Sequence, residues 1–520
     1  MASITLINPR FDESYWGLER ALPVFAKRAV LPTAGLPLLA AVTPPGHDVT
    51  IIDENATAID FDAVARADIV GLTGMSVQRR RMAEILRELR RRGVFSVVGG
   101  PWVSVEEEAF GALADVVFIG EAEESWPRFL RDWQAGRHDR RYEQAERTDM
   151  TTVPVPRYDL LDMRRYLFGS LQFSRGCPFQ CEFCDIIVTF GRRPRMKTAS
   201  QVIAELEALR RHGMSIAFVV DDNLIGNKAA IKAVLAEVAA WQRAHDYPLT
   251  LFSEASIDLA DDPELLEAMT DANFTSVFIG IETPNEEALR ETKKVQNLRG
   301  DRSLVEKVHA IQAAGLDVWC GLIVGFDADD ESIFERQRIF IEEARISHAM
   351  LGMLSAIPKT PLHARLAREG RLDLADEPAY GTNVIPAGMS RERLRTGYVD
   401  LQQRLHDPPA WFDRLDRLFL DAEFRFGQAK AAHLRHRPLA RWRAAVVDTA
   451  RAAGVFLGLM ARVSDRELRR TYRKRMLRLV WRRPDPSVWM VYAIKCAIHF
   501  HHVSMARRMA DTAGAPVNTF

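Results

Sequence analysis

Phe173-Ser-Arg-Gly-Cys-Pro-Phe-Gln-Cys-Glu-Phe-Cys-Asp185 gathers three of the chain's five cysteines into one short loop. Cys177, Cys181 and Cys184 follow a C-x3-C-x2-C spacing, which lets one loop fold around a single inorganic centre. Thiolates at this density suit an iron-sulfur cluster, but a four-iron cluster closed on every side takes four protein sulfurs. Three leave one iron with a free position, as at a catalytic metal site. Structural zinc is the rival reading and needs a fourth ligand. His212 is far along the chain, and Cys320 and Cys496 sit in apolar runs. A disulfide has less support, because nothing in the chain points to an oxidising compartment.

With Phe183 before the last cysteine, the pattern C-x3-C-x-Phe-C resembles the radical S-adenosylmethionine (SAM) superfamily. The resemblance implies that the cysteines hold a [4Fe-4S] cluster whose open iron is chelated by the amino and carboxylate groups of SAM. It further implies that an electron from the cluster cleaves SAM to a 5'-deoxyadenosyl radical. The motif covers a dozen residues directly, so the rest of the chain is read separately.

The 520 residues suffice for roughly two to four domains with large cores. Lys plus Arg and Asp plus Glu both number 70, so net charge selects no partner. Residues 1–10 lack the basic region, apolar core and cleavage site of a secretory signal. No uninterrupted apolar run reaches the ~18 residues expected of a spanning helix. A reducing, cytoplasmic setting is expected, which suits an oxygen-sensitive cluster.

In the N-terminal third, Ile4 to Asn8, Val49 to Asp53, Ile69 to Thr73, Ser96 to Gly99 and Val116 to Ile119 read as short apolar strands. They alternate with helical patterns such as Gln78 to Arg91, where Met82, Ile85 and Leu86 share one side. This predicts a doubly wound parallel sheet. Ligands of such sheets sit beyond the carboxyl ends of the strands. Those ends carry Thr73, Met75, Ser76, Gly99, Gly100, Gly120 and Glu121. Strand-end glycines also serve plain turns, so binding and turn chemistry both stay open here. G-x-G-x-x-G is absent after the first strand, which excludes the dinucleotide fingerprint. Together with Pro44-Pro-Gly-His-Asp-Val-Thr-Ile-Ile-Asp53, the arrangement resembles the cobalamin-binding domain fused to many radical SAM enzymes. The D-x-H-x-x-G pattern that gives cobalt a histidine is missing; only His47 and His138 occur before residue 150. Bound cobalamin is therefore expected to have no histidine on its lower face.

After the cysteines, strand and helix patterns alternate from Ser200 to Ile357; with a first strand near Leu171 they make six β/α units. A partial (β/α)6 barrel is predicted, with its chemistry at the carboxyl ends of the strands. There lie Asp222, Glu254, Ser256, Gly280, Glu282 and Gly325. Carboxylates and hydroxyls at these ends can hold the SAM amino group and ribose, and glycines can admit its adenine and methionyl parts. Helix capping is the alternative use of each Asp and Ser. Arg192-Arg-Pro-Arg-Met-Lys197 is either a neutraliser of anionic ligand groups or a solvated basic turn.

Similarity then becomes narrower. Cys184-Asp-Ile-Ile187, Gly191-Arg-Arg-Pro-Arg195, Val220-Asp-Asp-Asn-Leu-Ile-Gly-Asn-Lys228, Phe278-Ile-Gly-Ile-Glu-Thr-Pro284 and Ile323-Val-Gly-Phe-Asp327 resemble the cobalamin-dependent radical SAM methylases that include the hopanoid C-2 methylase. So do Ser14-Tyr-Trp-Gly-Leu-Glu-Arg-Ala-Leu-Pro23 and Leu72-Thr-Gly-Met-Ser76. The resemblance implies three cofactors, a [4Fe-4S] cluster, SAM and cobalamin, and an external electron donor. It implies methyl transfer to an unactivated carbon of a lipid, with a hopanoid at ring-A C-2 favoured. Another lipid or a tetrapyrrole is the alternative substrate. A cluster- and cobalamin-binding redox regulator or RNA-associated module is the alternative of another class.

The expected organisation is a cobalamin-binding domain at 1–140, a linker at 141–168, the barrel at 169–375 and a helical, basic region at 376–520. Between Arg435 and Arg483 there are 15 Lys or Arg against three Asp or Glu. Trp442, Phe456, Leu457 and Trp481 are mingled with them, and Trp489 follows. Such a stretch suits an anionic membrane surface, packing within its own domain, or nucleic acid. Peripheral contact with the inner face of the cytoplasmic membrane is favoured, and no nucleic-acid partner is expected. His499, His501 and His502 are expected at an interface or in solvent.

Overall fold

The computed structural model describes residues 1–511 apart from 376, 377 and 379. The parts of the expected helical region at 376, 377, 379 and 512–520 lie outside the described residues. Six parallel strands form the first sheet: β1 Ser3–Asn8, β2 Asp48–Asp53, β3 Ile69–Thr73, β4 Ser96–Gly99, β5 Val116–Ile119 and β6 Arg141–Glu143. Their order is β2-β1-β3-β4-β5-β6. The chain reverses its winding between β1 and β3, and ligands of open α/β sheets bind beside that switch point. Alternate residues of these strands serve two cores. Ile7, Val70, Leu72 and Val98 meet Met82, Ile85 and Leu86 of the helix Arg79–Arg91. Leu6, Ile69, Val97 and Phe118 meet Trp126, Phe129 and Leu130 of the helix Ser125–Gln134. Strand β6 falls within the expected linker, where a polar composition masked the single buried residue, Tyr142, that holds it.

The second sheet starts at β7 Gly169–Leu171 and is followed by a small antiparallel pair, β8 Ser174–Arg175 and β9 Arg195–Met196. It continues through β10 Ile216–Val219, β11 Thr250–Ala255, β12 Phe274–Glu282, β13 Asp317–Val324 and β14 His348–Met353. The six main strands are parallel and lie in the order β14-β13-β12-β11-β10-β7, an open barrel of β/α units. Leu251, Ala255, Val277, Ile279, Ile281, Val318 and Cys320 point outward into the helices. Phe218, Phe252, Glu254, Phe278, Gly280, Trp319 and Gly321 occupy the alternate, partly exposed positions and line the lumen.

The described C-terminal residues are helical: Arg391–His406, Pro408–Asp416, Gln428–Leu434, Pro438–Arg462, Arg466–Arg482 and Pro486–Asp511. Their core takes in Leu18, Ala21, Leu22 and Val24 from the segment after β1. The histidine run departs from expectation, because His499, His501 and His502 are all buried. His499 Nε2 donates to His406 O at 2.9 Å and its Nδ1 accepts from Tyr472 Oη at 2.7 Å, while Trp411 stacks 4.2 Å away. His501 Nε2 donates to Ser14 O at 2.8 Å and its Nδ1 accepts from the Arg20 N–H at 3.3 Å. Both rings are neutral in this pattern, which makes them packing elements instead of solvated bases. The helix Pro486–Asp511 also closes the amino end of the barrel. There Lys495 Nζ lies 2.6 Å from Asp317 Oδ2 and 2.8 Å from Ser347 Oγ.

Candidate active site

The cysteine loop runs between β8 and β9, so its two ends are hydrogen-bonded to each other. Gly176 opens it at φ +95°, and a Cβ there would stand 2.9 Å from Gly191 O and 3.0 Å from Arg193 O. Only glycine lets the two sides of the loop approach this closely. Asp221, which follows β10, pins the entry by accepting from Phe173 N at 2.7 Å, Ser174 N at 2.8 Å and Ser174 Oγ at 2.6 Å. Asp222 accepts from Gly176 N at 2.7 Å, and burial pushes its pKa up to about 6. Asp222, expected beside SAM, is thus also an anchor of the loop.

Cys181 is buried, and Cys177 and Cys184 are half-buried. Burial pushes the thiols of Cys177 and Cys184 up, so binding a metal must release their protons. Two amides point at sulfur: Asn223 Nδ2 is 3.9 Å from Cys177 Sγ, and Gln296 Nε2 is 3.5 Å from Cys181 Sγ. Donors of this kind stabilise thiolate charge. Among the described residues no three His, Cys, Asp or Glu side chains are grouped as a site for a metal ion. Three thiols on one open loop with amide donors behind them fit a larger, many-atom cluster better than a single zinc ion.

Lys294 lies beside the loop, in the segment where Thr292 O accepts from Glu182 N at 2.9 Å and Gln296 reaches Cys181. Its Nζ is 2.6 Å from Glu282 Oε1 and 5.9 Å from the centre of the Phe183 ring. Burial opposes the charge, but Glu282, then Cys181 and Cys184, outweigh it and hold the Lys294 pKa above its ordinary value. Gly280 makes room for this pair, since a Cβ would stand 2.4 Å from Glu282 Oε1 and 2.8 Å from Lys294 Nζ. Gly280 and Glu282 therefore meet, though through an ion pair that sequence reasoning missed. Ser256 and Asn223 hold each other, with Ser256 N to Asn223 Oδ1 at 3.2 Å and Asn223 Nδ2 to Ser256 Oγ at 3.2 Å.

Glu254 is different. Its carboxylate has no hydrogen-bond partner among the described residues, although it faces the lumen at the carboxyl end of β11. Burial, then the charges of Asp222, Asp221 and Glu282, push its pKa up to about 8. Glu254 is half-buried, so its carboxylate is free to take a donor or a cation from a ligand in the lumen. Gly325 lies apart from this group; at φ +102° its missing Cβ admits Leu394 at 2.9 Å, a packing use.

The carboxyl edge of the first sheet faces the same loop. Gly100, at φ +105°, could not carry a Cβ, which would fall 2.2 Å from Thr73 Oγ1. Gly99 is similarly close to Phe118, at 3.1 Å, whereas Gly120, at φ +74°, borders open space. Met75 is exposed and precedes the short helix starting at Ser76. Thr73, Met75, Ser76, Gly99, Gly100 and Gly120 thus form one rim at the carboxyl edge of the sheet. Glu121 belongs to the rim by position only, because its carboxylate is engaged by Arg175 at 2.7 Å, Arg195 at 3.0 Å and the Thr148 N–H at 3.0 Å. These contacts dock the first sheet on the cysteine loop. His47 and His138 precede β2 and β6 and so sit at the opposite, amino edge. Neither can reach a ligand on the rim.

Comparison with known proteins agrees with this geometry. Residues 171–336 match the family model of the radical SAM superfamily, residues 26–130 match the B12 binding domain, and residues 360–514 match a domain of unknown function, DUF4070. The chain is 40% identical over 423 residues to an uncharacterized methyltransferase of Synechocystis sp., covering 80% of this chain and 78% of that protein. It is 34% identical over 419 residues to the hopanoid C-2 methylase of Rhodopseudomonas palustris, covering 79% and 78%. Its fold aligns with the radical SAM methyltransferase TsrM of Kitasatospora setae, solved with cobalamin and a [4Fe-4S] cluster bound. That alignment has a TM-score of 0.58 and 16% identity over 82% of this chain and 83% of that one. With the cysteine loop, the partnerless carboxylate and the glycine rim converging on one interface, the chain belongs to the cobalamin-dependent radical SAM methyltransferases, which work with a [4Fe-4S] cluster, SAM and cobalamin.

Proposed function

We propose that this enzyme methylates an unactivated carbon of a polycyclic lipid, with a hopanoid at ring-A C-2 as the substrate. Such a carbon has neither an acidic proton nor a lone pair, so polar attack on a methyl sulfonium fails. When bound, the three cofactors supply reductive cleavage, hydrogen abstraction and the methyl group. The chain's part is to bind, orient and exclude water.

In this reading Cys177, Cys181 and Cys184 carry the cluster, with Asn223 and Gln296 donating to two of the sulfurs. Glu254 takes the ammonium or the ribose hydroxyls of SAM, and the Glu282–Lys294 pair sets the charge beside the cysteine loop. The rim from Thr73 to Gly120 receives cobalamin.

The observation that carries the substrate class is the lumen below Glu254. Phe218 and Phe252 stack at 4.6 Å, Phe168 meets Phe252 edge-on at 5.1 Å, and Trp319 lies 6.0 Å from Phe252. Trp16 adds a half-exposed ring 5.7 Å from Phe278. Above this band Gly280 and Gly321 pair in register; the Phe278 ring lies against Gly321, and the Glu282–Lys294 pair lies against Gly280. A wall of aromatic faces suits a rigid, flat, apolar ring system. The similarity to a hopanoid C-2 methylase supports the same class.

Mass spectrometry of membrane lipids from hopanoid-producing cells with and without this chain tests the reading. A mass gain of one methylene on ring A of pentacyclic triterpenoids is the expected result. Methylation of a tetrapyrrole, with triterpenoids unchanged, would overturn it.

A further inference from the structure

The helix Pro438–Arg462 has two apolar faces, and the fold uses only one of them. Ala452, Leu459 and Met460 are buried, and Gly458 lets the helix approach Val24 O. On the other side Leu439, Trp442, Val446, Ala450, Ala453 and Leu457 recur at steps of three and four residues and are all exposed. Leu439 is 78% exposed, Trp442 65%, Val446 47% and Leu457 67%. By length and composition this helix could cross a membrane, although no uninterrupted apolar run in it reaches ~18 residues, and 17% of its most apolar window is buried. Arg441 and Arg443 flank Trp442 and form no ion pair among the described residues.

We infer that this outward face docks the enzyme on the surface of an anionic lipid leaflet, and that this is a function of the region matching DUF4070. An apolar stripe that holds a tryptophan, with Arg443 at its edge and Arg441 on the polar side, is the composition of a helix lying in the headgroup boundary. Crossing the bilayer is disfavoured because Asp448 and Arg451 fall in the middle of the helix. Both lie off the outward stripe, so a helix lying flat keeps them out of the hydrocarbon. A parallel pairing with a second copy along this stripe would bring Arg443, at its edge, close to its own equivalent. The inference does not depend on which molecule is methylated.

Flotation of the anaerobically reconstituted full-length enzyme with vesicles tests it, using phosphatidylcholine alone and with about one third phosphatidylglycerol. The enzyme is expected to float with the anionic vesicles and to detach in high salt or alkaline carbonate. The Trp442→Ser/Leu457→Ser variant is expected to lose about tenfold or more in partitioning. Arg441→Gln/Arg443→Gln is expected to erase the preference for phosphatidylglycerol. Circular dichroism and iron content identify variants that remain folded. Any of four results would overturn the inference: no flotation of the parent enzyme, unchanged partitioning of the folded variants, resistance to carbonate, or a dimer that the serine variant dissolves without any vesicle binding. Methylation assayed in detergent reads the substrate assignment separately.

Discussion

The guanidinium of Arg175 lies 2.7 Å from Glu121 and 2.7 Å from Glu123, joining the rim of the first sheet to the residue two places before Cys177. Burial opposes the Arg175 charge, and the two carboxylates more than offset it, so its pKa stays above the ordinary value. Removing one member of a buried ion pair strands the others and costs about 3–5 kcal/mol. Arg175→Met is expected to lower the denaturant midpoint accordingly and to weaken cobalamin retention. Arg175→Lys, which keeps the charge but cannot reach both carboxylates with one planar fork, should recover part of the loss.

Cys181→Ala is expected to abolish 5'-deoxyadenosine formation with SAM and reductant, and to lower iron content after anaerobic reconstitution. Cys320→Ala and Cys496→Ala serve as controls, since both residues are buried away from the loop. They should keep iron and product while losing about 1–2 kcal/mol of stability.

Gly100→Ala should be costly where Gly111→Ala is not. The former places a Cβ against Thr73 Oγ1 at φ +105°, a strain of about 1–3 kcal/mol at the rim. Cobalamin absorbance per polypeptide should fall. At Gly111 a Cβ meets nothing within 4 Å, so stability there should hold or rise by about 0.5–1 kcal/mol.

Lys294→Met removes a cation that Cys181 and Cys184 both feel. A cluster loses part of its preference for the reduced, more negative state when a nearby positive charge is deleted. The reduction potential should move negative by on the order of tens of mV, read by anaerobic spectroelectrochemical titration.

Acid should destabilise the C-terminal core before it reaches ordinary carboxylates. Burial lowers His499 to about 3 and His501 to about 4. The unfolded chain takes up those protons near pH 6.5 while the folded one does not. Stability is therefore intact above about pH 6.5 and falls as pH drops toward the folded values, by about 1.4 kcal/mol per pH unit for each ring. Thermal unfolding between pH 7 and about 4.5 checks this. His499→Gln should remove one proton from the slope.

The two sheets were legible because their strands repeat an apolar pattern that only parallel β/α winding satisfies, and the cysteine loop was legible because sulfur spacing has few other uses. Lys294 was not. A lysine between Lys293 and Val295 carries no mark of burial until β12 and the cysteine loop close around it. Glu121 was read as a rim ligand, since a sequence cannot reveal that Arg175, more than fifty residues later, takes its charge. The histidine run failed for a related reason. Its imidazoles find Ser14 O, Tyr472 Oη and His406 O across long sequence distances, and without those partners they look like solvated bases.

Leu18, Leu22 and Val24 share one hydrophobic core with helices from the far end of the chain. A nascent chain emerging from the ribosome thus carries its opening segment half-finished until Pro486–Asp511 arrives to cover it. Deleting that helix would take His502 from behind Tyr15, unseal the floor of the barrel and let water rise toward a reaction that depends on its exclusion.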